Sequence, residues 1–329
     1  MRYLILALIG CQSSSSILAS HDRSGMDSAA EAQVDLSLPA DWHLSRHPCP
    51  GPRTDAVAFA PPAIHVGCGG NLRGGGVYVS RDDGWSARPE LSRVRALDVG
   101  LSEDGSMWVA GPEGVWSVGS DVRREHPVAA NGVEAAADVL WIASEGGLVR
   151  RWGEGPWTTR WEGEAVRSVA VHGGSAFAVL RDTPRVLVPS ADATGGWPDL
   201  EVHLPVAERL DDLAVDGAGV LVGGVAGDRG VLAWSESDPA ALAGWQVWRL
   251  DGWSVATRIR GVCRDGPQLV AVGEAGAGGM WLQSNDGGRS WVDRGSELGV
   301  PPLDGCRLVD GRLALVGADG FVAVGPAGG

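Results

Sequence analysis

From about residue 64 to the C-terminus, apolar runs of four or five residues alternate with glycine-rich turns, and the pattern returns roughly every 40 residues. The heart of the unit is one apolar strand. It is found at Ile64–Gly67, Met107–Gly111, Leu140–Ala143, Ala176–Val179, Val220–Gly223, Leu269–Gly273 and Leu313–Gly317, seven times in all. A strand precedes each, as at Val94–Val99, Val166–Val171 and Leu210–Val215. The two are often joined through Asp104-Gly105, Gly173-Gly174, Asp216-Gly217, Asp265-Gly266 or Asp310-Gly311, dipeptides that suit tight hairpins because glycine accepts positive φ. A third strand follows, as at Val77–Ser80, Gly114–Ser117 and Met280–Gln283. A Trp-marked fourth commonly closes the unit, as at Trp157–Trp161, Trp245–Leu250 and Trp291–Arg294.

Four antiparallel strands repeated about seven times predict an all-β fold, a β-propeller of seven four-stranded blades. The last unit, Leu303–Val324, supplies only three strands, and Ala40–Arg46 reads as the missing Trp-marked fourth. An N-terminal strand is therefore expected to close the ring and remove its loose edges. The propeller is placed at residues 35–329 as one domain, with an eight-bladed ring or a two-part β fold as alternatives.

Composition agrees with this. Glycine (50) and tryptophan (15) are the outliers, the first punctuating turns and the second filling wide gaps between sheets, while Tyr and Phe together number five. Every basic residue is arginine, and the formal net charge is −14. A body so acidic and without a basic run repels phosphate backbones, which argues against nucleic-acid binding.

The N-terminus has a charged start, an apolar stretch Leu4–Ile9 too short to span a bilayer, then Gly10-Cys11. Leu8-Ile9-Gly10-Cys11 resembles the lipobox of bacterial lipoproteins. That resemblance implies a signal peptide over 1–10, cleavage before Cys11 and lipidation of its thiol. A flexible tether over 11–34 would follow, containing Ser13–Ser16. Gln12, in place of Asp, implies the outer membrane by the same resemblance. An ordinary signal peptide with a chance cysteine is the alternative. Four cysteines remain, an even number in an oxidising compartment, with three pairings open. Cys263 and Cys306 hold nearly equivalent places in successive repeats. Cys49 precedes the first full repeat and Cys68 ends its second strand. Repeat alignment thus ranks Cys49–Cys68 and Cys263–Cys306 first, against free buried thiols.

Ser284-Asn285-Asp286-Gly287-Gly288-Arg289-Ser290-Trp291 matches the Asp-box, or BNR, pattern Ser-x-Asp-x-Gly-x-Ser/Thr-Trp at every position. Ser80-Arg81-Asp82-Asp83-Gly84-Trp85 is a partial copy with its Trp two places early, and Trp234–Asp238 with Trp245 resembles an expanded third. Spacing puts these boxes on the hairpin between third and fourth strands. There the Asp carboxylate can accept turn N–H groups while the Trp wedges between blades. One short box offers too few oxygen ligands for calcium. Leu140–Arg150 and Met107–Val118 resemble the sensor-type propeller repeats of two-component regulators. The whole body is similar in plan to the photosystem II stability and assembly factor group, which are exported Asp-box propellers.

Chemistry is harder to find. A sialidase needs an arginine triad, a Tyr nucleophile with a Glu partner, and an acid. Tyr78, the one tyrosine after Cys11, lies on a third strand and away from the expected channel. Asp98, Asp212 and Asp265 lie on or next to first strands and can approach the channel, either as paired carboxylates of a glycosidase or as turn and channel-solvating groups. His43 and His47 lie about 13 Å apart on a strand, too far to share an ion with Cys49. No glycine run opens a helix to cradle phosphate, and no Gly-x-Ser-x-Gly elbow occurs. Trp152, Trp197 and Trp253 fall off the blade pattern and are candidates for stacking on sugars or anchoring a partner. The reading is a non-catalytic scaffold without cofactor or metal, lipid-anchored in the cell envelope, that binds an envelope protein. A carbohydrate-binding or glycan-hydrolysing propeller is the alternative, and a sensory propeller a third.

Overall fold

The computed structural model describes residues 41–46, 49, 56–60, 62–69, 75–81, 84–102, 105–136, 138–189, 198, 200–236 and 244–327. Cys11, the signal and tether segments, and Asp82 lie outside the described residues.

The described chain folds as seven four-stranded antiparallel sheets. A short strand, β1 (His43–Arg46), comes first. Blade 1 is β2 (Ala56–Ala60), β3 (Ala63–Cys68), β4 (Gly76–Arg81) and β5 (Gly84–Ala87). Blade 2 is β6 (Asp98–Leu101), β7 (Met107–Gly111), β8 (Gly114–Val118) and β9 (Val122–His126). Blade 3 is β10 (Ala130–Ala136), β11 (Val139–Ser144), β12 (Gly147–Trp152) and β13 (Thr158–Glu162). Blade 4 is β14 (Val166–His172), β15 (Ser175–Leu180), β16 (Arg185–Val188) and β17 (Leu200–His203). Blade 5 is β18 (Arg209–Asp216), β19 (Gly219–Ala226), β20 (Arg229–Ser235) and β21 (Trp245–Arg249). Blade 6 is β22 (Thr257–Asp265), β23 (Gln268–Ala275), β24 (Gly278–Ser284) and β25 (Val292–Asp293). Blade 7 is β26 (Leu303–Val309), β27 (Arg312–Gly317) and β28 (Phe321–Pro326), with β1 as its fourth strand. First strands touch one another in succession, and β26 returns to β2, so the sheets form a closed seven-bladed β-propeller with the first strands innermost.

Each sheet is covered on both faces by its neighbours, which is why second strands are apolar without alternation. β11 is buried along its whole length, whereas the outer strand β9 (Val-Arg-Arg-Glu-His) is largely open to water. The core is divided among the seven blade-to-blade seams, one apolar cluster in each. Tryptophans fill the wider parts: Trp141 is fully buried, and the Trp291 ring lies 6.0 Å from Trp234 and 5.9 Å from Trp248. Gly114 and Gly147, at the starts of β8 and β12, both have φ of +135°. A side chain there would meet the carbonyl of His126 or Trp161, so these turns accept only glycine.

Closure is made by β1, whose residues His43, Leu44, Ser45 and Arg46 pair with Val324, Ala323, Val322 and Phe321. Trp42 packs 5.0 Å from Trp281 of blade 6. Just after β1, Cys49 is joined to Cys68 at the end of β3 (Cα–Cα 5.6 Å), which ties the closing strand of blade 7 to blade 1. Cys263 and Cys306 join the innermost strands of blades 6 and 7 (Cα–Cα 6.0 Å).

Replacing Cys49 and Cys68 together by Ser is expected to remove about 3 kcal/mol, and replacing Cys263 and Cys306 about 4 kcal/mol, from loop entropy alone. Thermal denaturation should show each loss as a Tm lowered by several degrees. Reductant should then have less effect on each variant than on the parent.

Candidate functional site

The ring is held around its axis by carboxylates reaching from one blade to the next. Asp98 of blade 2 accepts the Val133 N–H of blade 3 at 2.9 Å, and its other oxygen accepts the Val99 N–H at 2.9 Å. Asp212 of blade 5 accepts the Ser168 hydroxyl of blade 4 at 2.9 Å and the Val262 N–H of blade 6 at 3.0 Å. Both oxygens of each acid are thus committed to the ring. Asp216 and Asp265, at the far ends of β18 and β22, likewise accept the Gly266 and Gly311 N–H groups of the next blades, at 2.7 and 3.4 Å. Sequence placed Asp98, Asp212 and Asp265 on or beside first strands, and the geometry gives them the structural role.

Further along the channel, Glu134 faces Arg307 (Oε2–Nη2 3.8 Å), whose Nε donates to the Val57 carbonyl at 3.1 Å. Burial pushes the Glu134 carboxyl up to about 7; Arg307 opposes this, and Asp98 and Asp212 add to it. Burial likewise raises Asp212 to about 6, against its Val262 and Ser168 hydrogen bonds. The channel therefore carries a proton-accepting group between its inner strands.

One mouth of the channel has a different character. In five blades among the described residues, the pairing of first and second strands skips one residue: Asn131, Arg167, Asp211, Arg260 and Asp304. Such bulges re-aim a side chain, and all five residues line a cavity of about 320 Å³ on the axis. Among its lining residues is Asp211, with only 2% of its side chain exposed. Arg167 Nε stands 3.0 Å from Oδ1, Arg209 makes a two-pronged contact at 2.9 and 3.0 Å, and Arg258 Nε lies 3.3 Å from Oδ2. The three arginine side chains keep about a third of their surface, 34%, 35% and 31%. One buried carboxylate thus pairs with three partly exposed arginines, of which Arg167 and Arg258 line the cavity, and this leaves two positive charges in excess within the cluster. Burial lowers the Arg167 pKa against the pull of Asp211, and Arg209 and Arg258 lower it further. An anion arriving from solvent would relieve that crowding. Beside them, Arg181 bonds Glu145 at 2.5 Å and Asn131 at 2.7 Å, and Arg260 pairs with Glu274.

The motif residues read from sequence lie elsewhere. Ser284 to Trp291 form the hairpin between β24 and β25. Ser284 Oγ donates to Asp286 Oδ1 at 2.8 Å, and Asp286 accepts the Ser290 N–H and hydroxyl at 2.9 and 2.6 Å. The Gly288 N–H donates to Ser284 Oγ at 2.9 Å, and Trp291 Nε1 donates to the Gly288 carbonyl at 3.1 Å. These bonds, the Ser290 hydroxyl first, hold the Asp286 carboxyl down at about 2. Ser80 and Gly84 sit on the matching hairpin of blade 1, at the end of β4 and the start of β5, with Asp82 outside the described residues. Tyr78 is on the third strand β4. Of the off-pattern tryptophans, Trp152 is 60% exposed, Trp253 packs against the seam between blades 5 and 6, and Trp197 is outside the described residues. Among the described residues no group of three metal-ligating side chains converges.

The Glu134 carboxyl binds its proton more tightly folded than unfolded, so its contribution favours the fold below about pH 4.5 and is lost as pH rises through about 7. The 27% of Glu134 that stays open to the channel limits the size of the effect. Glu134→Gln should raise Tm relative to the parent at pH 8, with the difference shrinking toward pH 5. A constant difference across that range would contradict this protonation.

No family model matches the chain, and no curated protein matches it by sequence. Solved structures do. YCF48 from Cyanidioschyzon merolae superposes with a TM-score of 0.64 at 16% identity, covering 87% of this chain and 99% of that one. A structure of YCF48 bound to a D1 peptide gives 0.63 at 15% identity, covering 87% and 97%. Virginiamycin B lyase from Staphylococcus aureus gives 0.66 at 8% identity, covering 86% and 98%. At such identities the shared property is the fold, and the chain is a seven-bladed β-propeller.

Proposed function

We propose that this propeller is a protein-binding scaffold of the bacterial cell envelope that docks an extended acidic segment of a partner at the arginine mouth of its channel. The observation that carries this reading is Asp211 buried beneath Arg167, Arg209 and Arg258. In a chain with a net charge of −14, a local positive excess on a rigid rim is a selective landmark for carboxylates. Arginine suits it, because its planar fork presents paired donors at fixed geometry. The likeness to a propeller solved with a D1 peptide supports a polypeptide as the occupant. The double commitment of Asp98 and Asp212 supports binding over acid–base chemistry at the axis.

The same proposal includes a lipid anchor at Cys11, supported by Leu8-Ile9-Gly10-Cys11 and the serine run after it, with Gln12 favouring the outer membrane. It also places the chain among BNR-type propellers, supported by the complete match from Ser284 to Trp291.

A fluorescent Asp/Glu-rich decapeptide is the direct probe. It should bind the parent with an affinity that falls as salt rises, and the Arg167→Ala/Arg258→Ala variant should bind at least about tenfold more weakly. Equal binding by parent and variant would remove the mouth as the docking site. In a bacterial host, labelled palmitate should enter the parent and sediment with membranes, and Cys11→Ala should abolish both; an unlabelled parent would refute the anchor.

A further inference from the structure

The end of the ring opposite the arginine mouth carries the hairpins that join first to second and third to fourth strands. There, between blades 2 and 3, lies a second cavity of about 400 Å³, within the roughly 300–1,000 Å³ of small-molecule sites. One wall is Arg151, whose side chain is 10% exposed. Its guanidinium is clamped between two indoles, 5.2 Å from the Trp108 ring and 4.9 Å from that of Trp157. Its Nη1 donates to Glu125 Oε2 at 2.8 Å, while its buried Nε has no hydrogen-bond partner among the described residues. Glu125 is fixed in turn: Oε1 accepts the Ser117 hydroxyl at 2.7 Å, and its backbone carbonyl accepts Trp157 Nε1 at 3.2 Å. A planar donor and a planar acceptor are thus held rigid beside the half-buried Trp108 ring. At the rim stand the exposed carboxylates of Asp138 and Glu154.

The chemistry of this lining selects its occupant. Arg151 is already paired with Glu125, which leaves no free positive charge for an anion, and a cation would meet only the water-exposed Asp138 and Glu154, where ion pairing is weak. Glu125 and Arg151 cancel each other inside (2.8 Å), and the exposed Asp121 and Arg123 pair at the rim (3.4 Å). What remains attractive is a neutral ligand that donates to carboxylates, accepts from an arginine N–H and lays an apolar face on an indole. A sugar ring offers all three, its hydroxyls being donors and acceptors and its C–H face apolar. From this juxtaposition of Trp108, Arg151 and Glu125 in an inter-blade cavity we infer that the groove between blades 2 and 3 is a binding site for a neutral saccharide. The site is separate from the arginine mouth and does not depend on what that mouth binds.

The test uses the whole folded protein with maltose, cellobiose, lactose and N,N′-diacetylchitobiose as probes. Binding at millimolar concentration is read by tryptophan fluorescence and by saturation-transfer NMR. At least one disaccharide should bind. Glu125→Gln, which keeps the shape of the side chain, and Asp138→Arg at the exposed rim should each weaken it about tenfold or more. Arg167→Ala/Arg258→Ala at the opposite mouth should leave it unchanged. The inference is overturned if none of the four sugars binds, or if both groove variants bind as well as the parent. It is equally overturned if a lysine-rich or glutamate-rich tripeptide binds the groove more tightly than every sugar.

Discussion

Every blade of this protein buries both faces, and it can do so only against two neighbours. The seven apolar clusters lie between sheets, with none inside a sheet, so no blade has a core of its own. The requirement that the ring be closed follows from this and governs most of what else is seen. It explains the register of β1 against β28, the disulfide beside it, and the aspartates that reach across seams. The polar bonds at the axis are the inner counterpart of the apolar clusters. Where first strands converge, carboxylate-to-backbone bonds fix the spacing between blades.

The two cavities arise from the same geometry. A bulge puts one extra residue into the first strand without disturbing the strands outside it, so each bulged blade presents one side chain at the mouth. Five blades use this place for Asn131, Arg167, Asp211, Arg260 and Asp304, and the composition of the rim is set one blade at a time. The groove between blades 2 and 3 uses the other freedom of a propeller. Towards the outside the blades diverge, and Arg151 with its two indoles occupies a seam that apolar residues alone would not fill.

The fold was legible because the repeat is written in strong signals. The seven apolar hearts, from Ile64–Gly67 to Leu313–Gly317, fall on the seven second strands, and Ala40–Arg46 was read as the closing strand on the strength of Trp42 and a missing fourth strand at the end. The axial aspartates were half legible, since position on a first strand is visible in sequence while the identity of the N–H they accept is not. The arginine mouth was missed. Arg167, Arg209 and Arg258 are separated by one or more blades in sequence, and nothing local says that they meet over Asp211. A usable signal did exist: Asn131-Gly132, Arg167-Ser168, Asp211-Asp212, Arg260-Gly261 and Asp304-Gly305 all set a polar residue before a short one near the start of a first strand. Aligning those pairs across repeats locates the bulges. The groove was missed because Arg151 and Glu125 look like surface charges on outer strands until the Trp108 and Trp157 rings are placed around them.

The position of Cys49 has a mechanical consequence. Tension applied to the chain ahead of residue 41 enters through β1, which is the outermost strand of its sheet and is held by four register pairs. Without a clamp, such a load would peel the strand away pair by pair and open the ring at its seam. The bond from Cys49 to Cys68 lies immediately behind β1, so the force passes covalently into the second strand of blade 1. That strand is hydrogen-bonded on both sides, to β2 and β4. Peeling therefore stops at the disulfide, and the joint that completes the circle is also its strain relief.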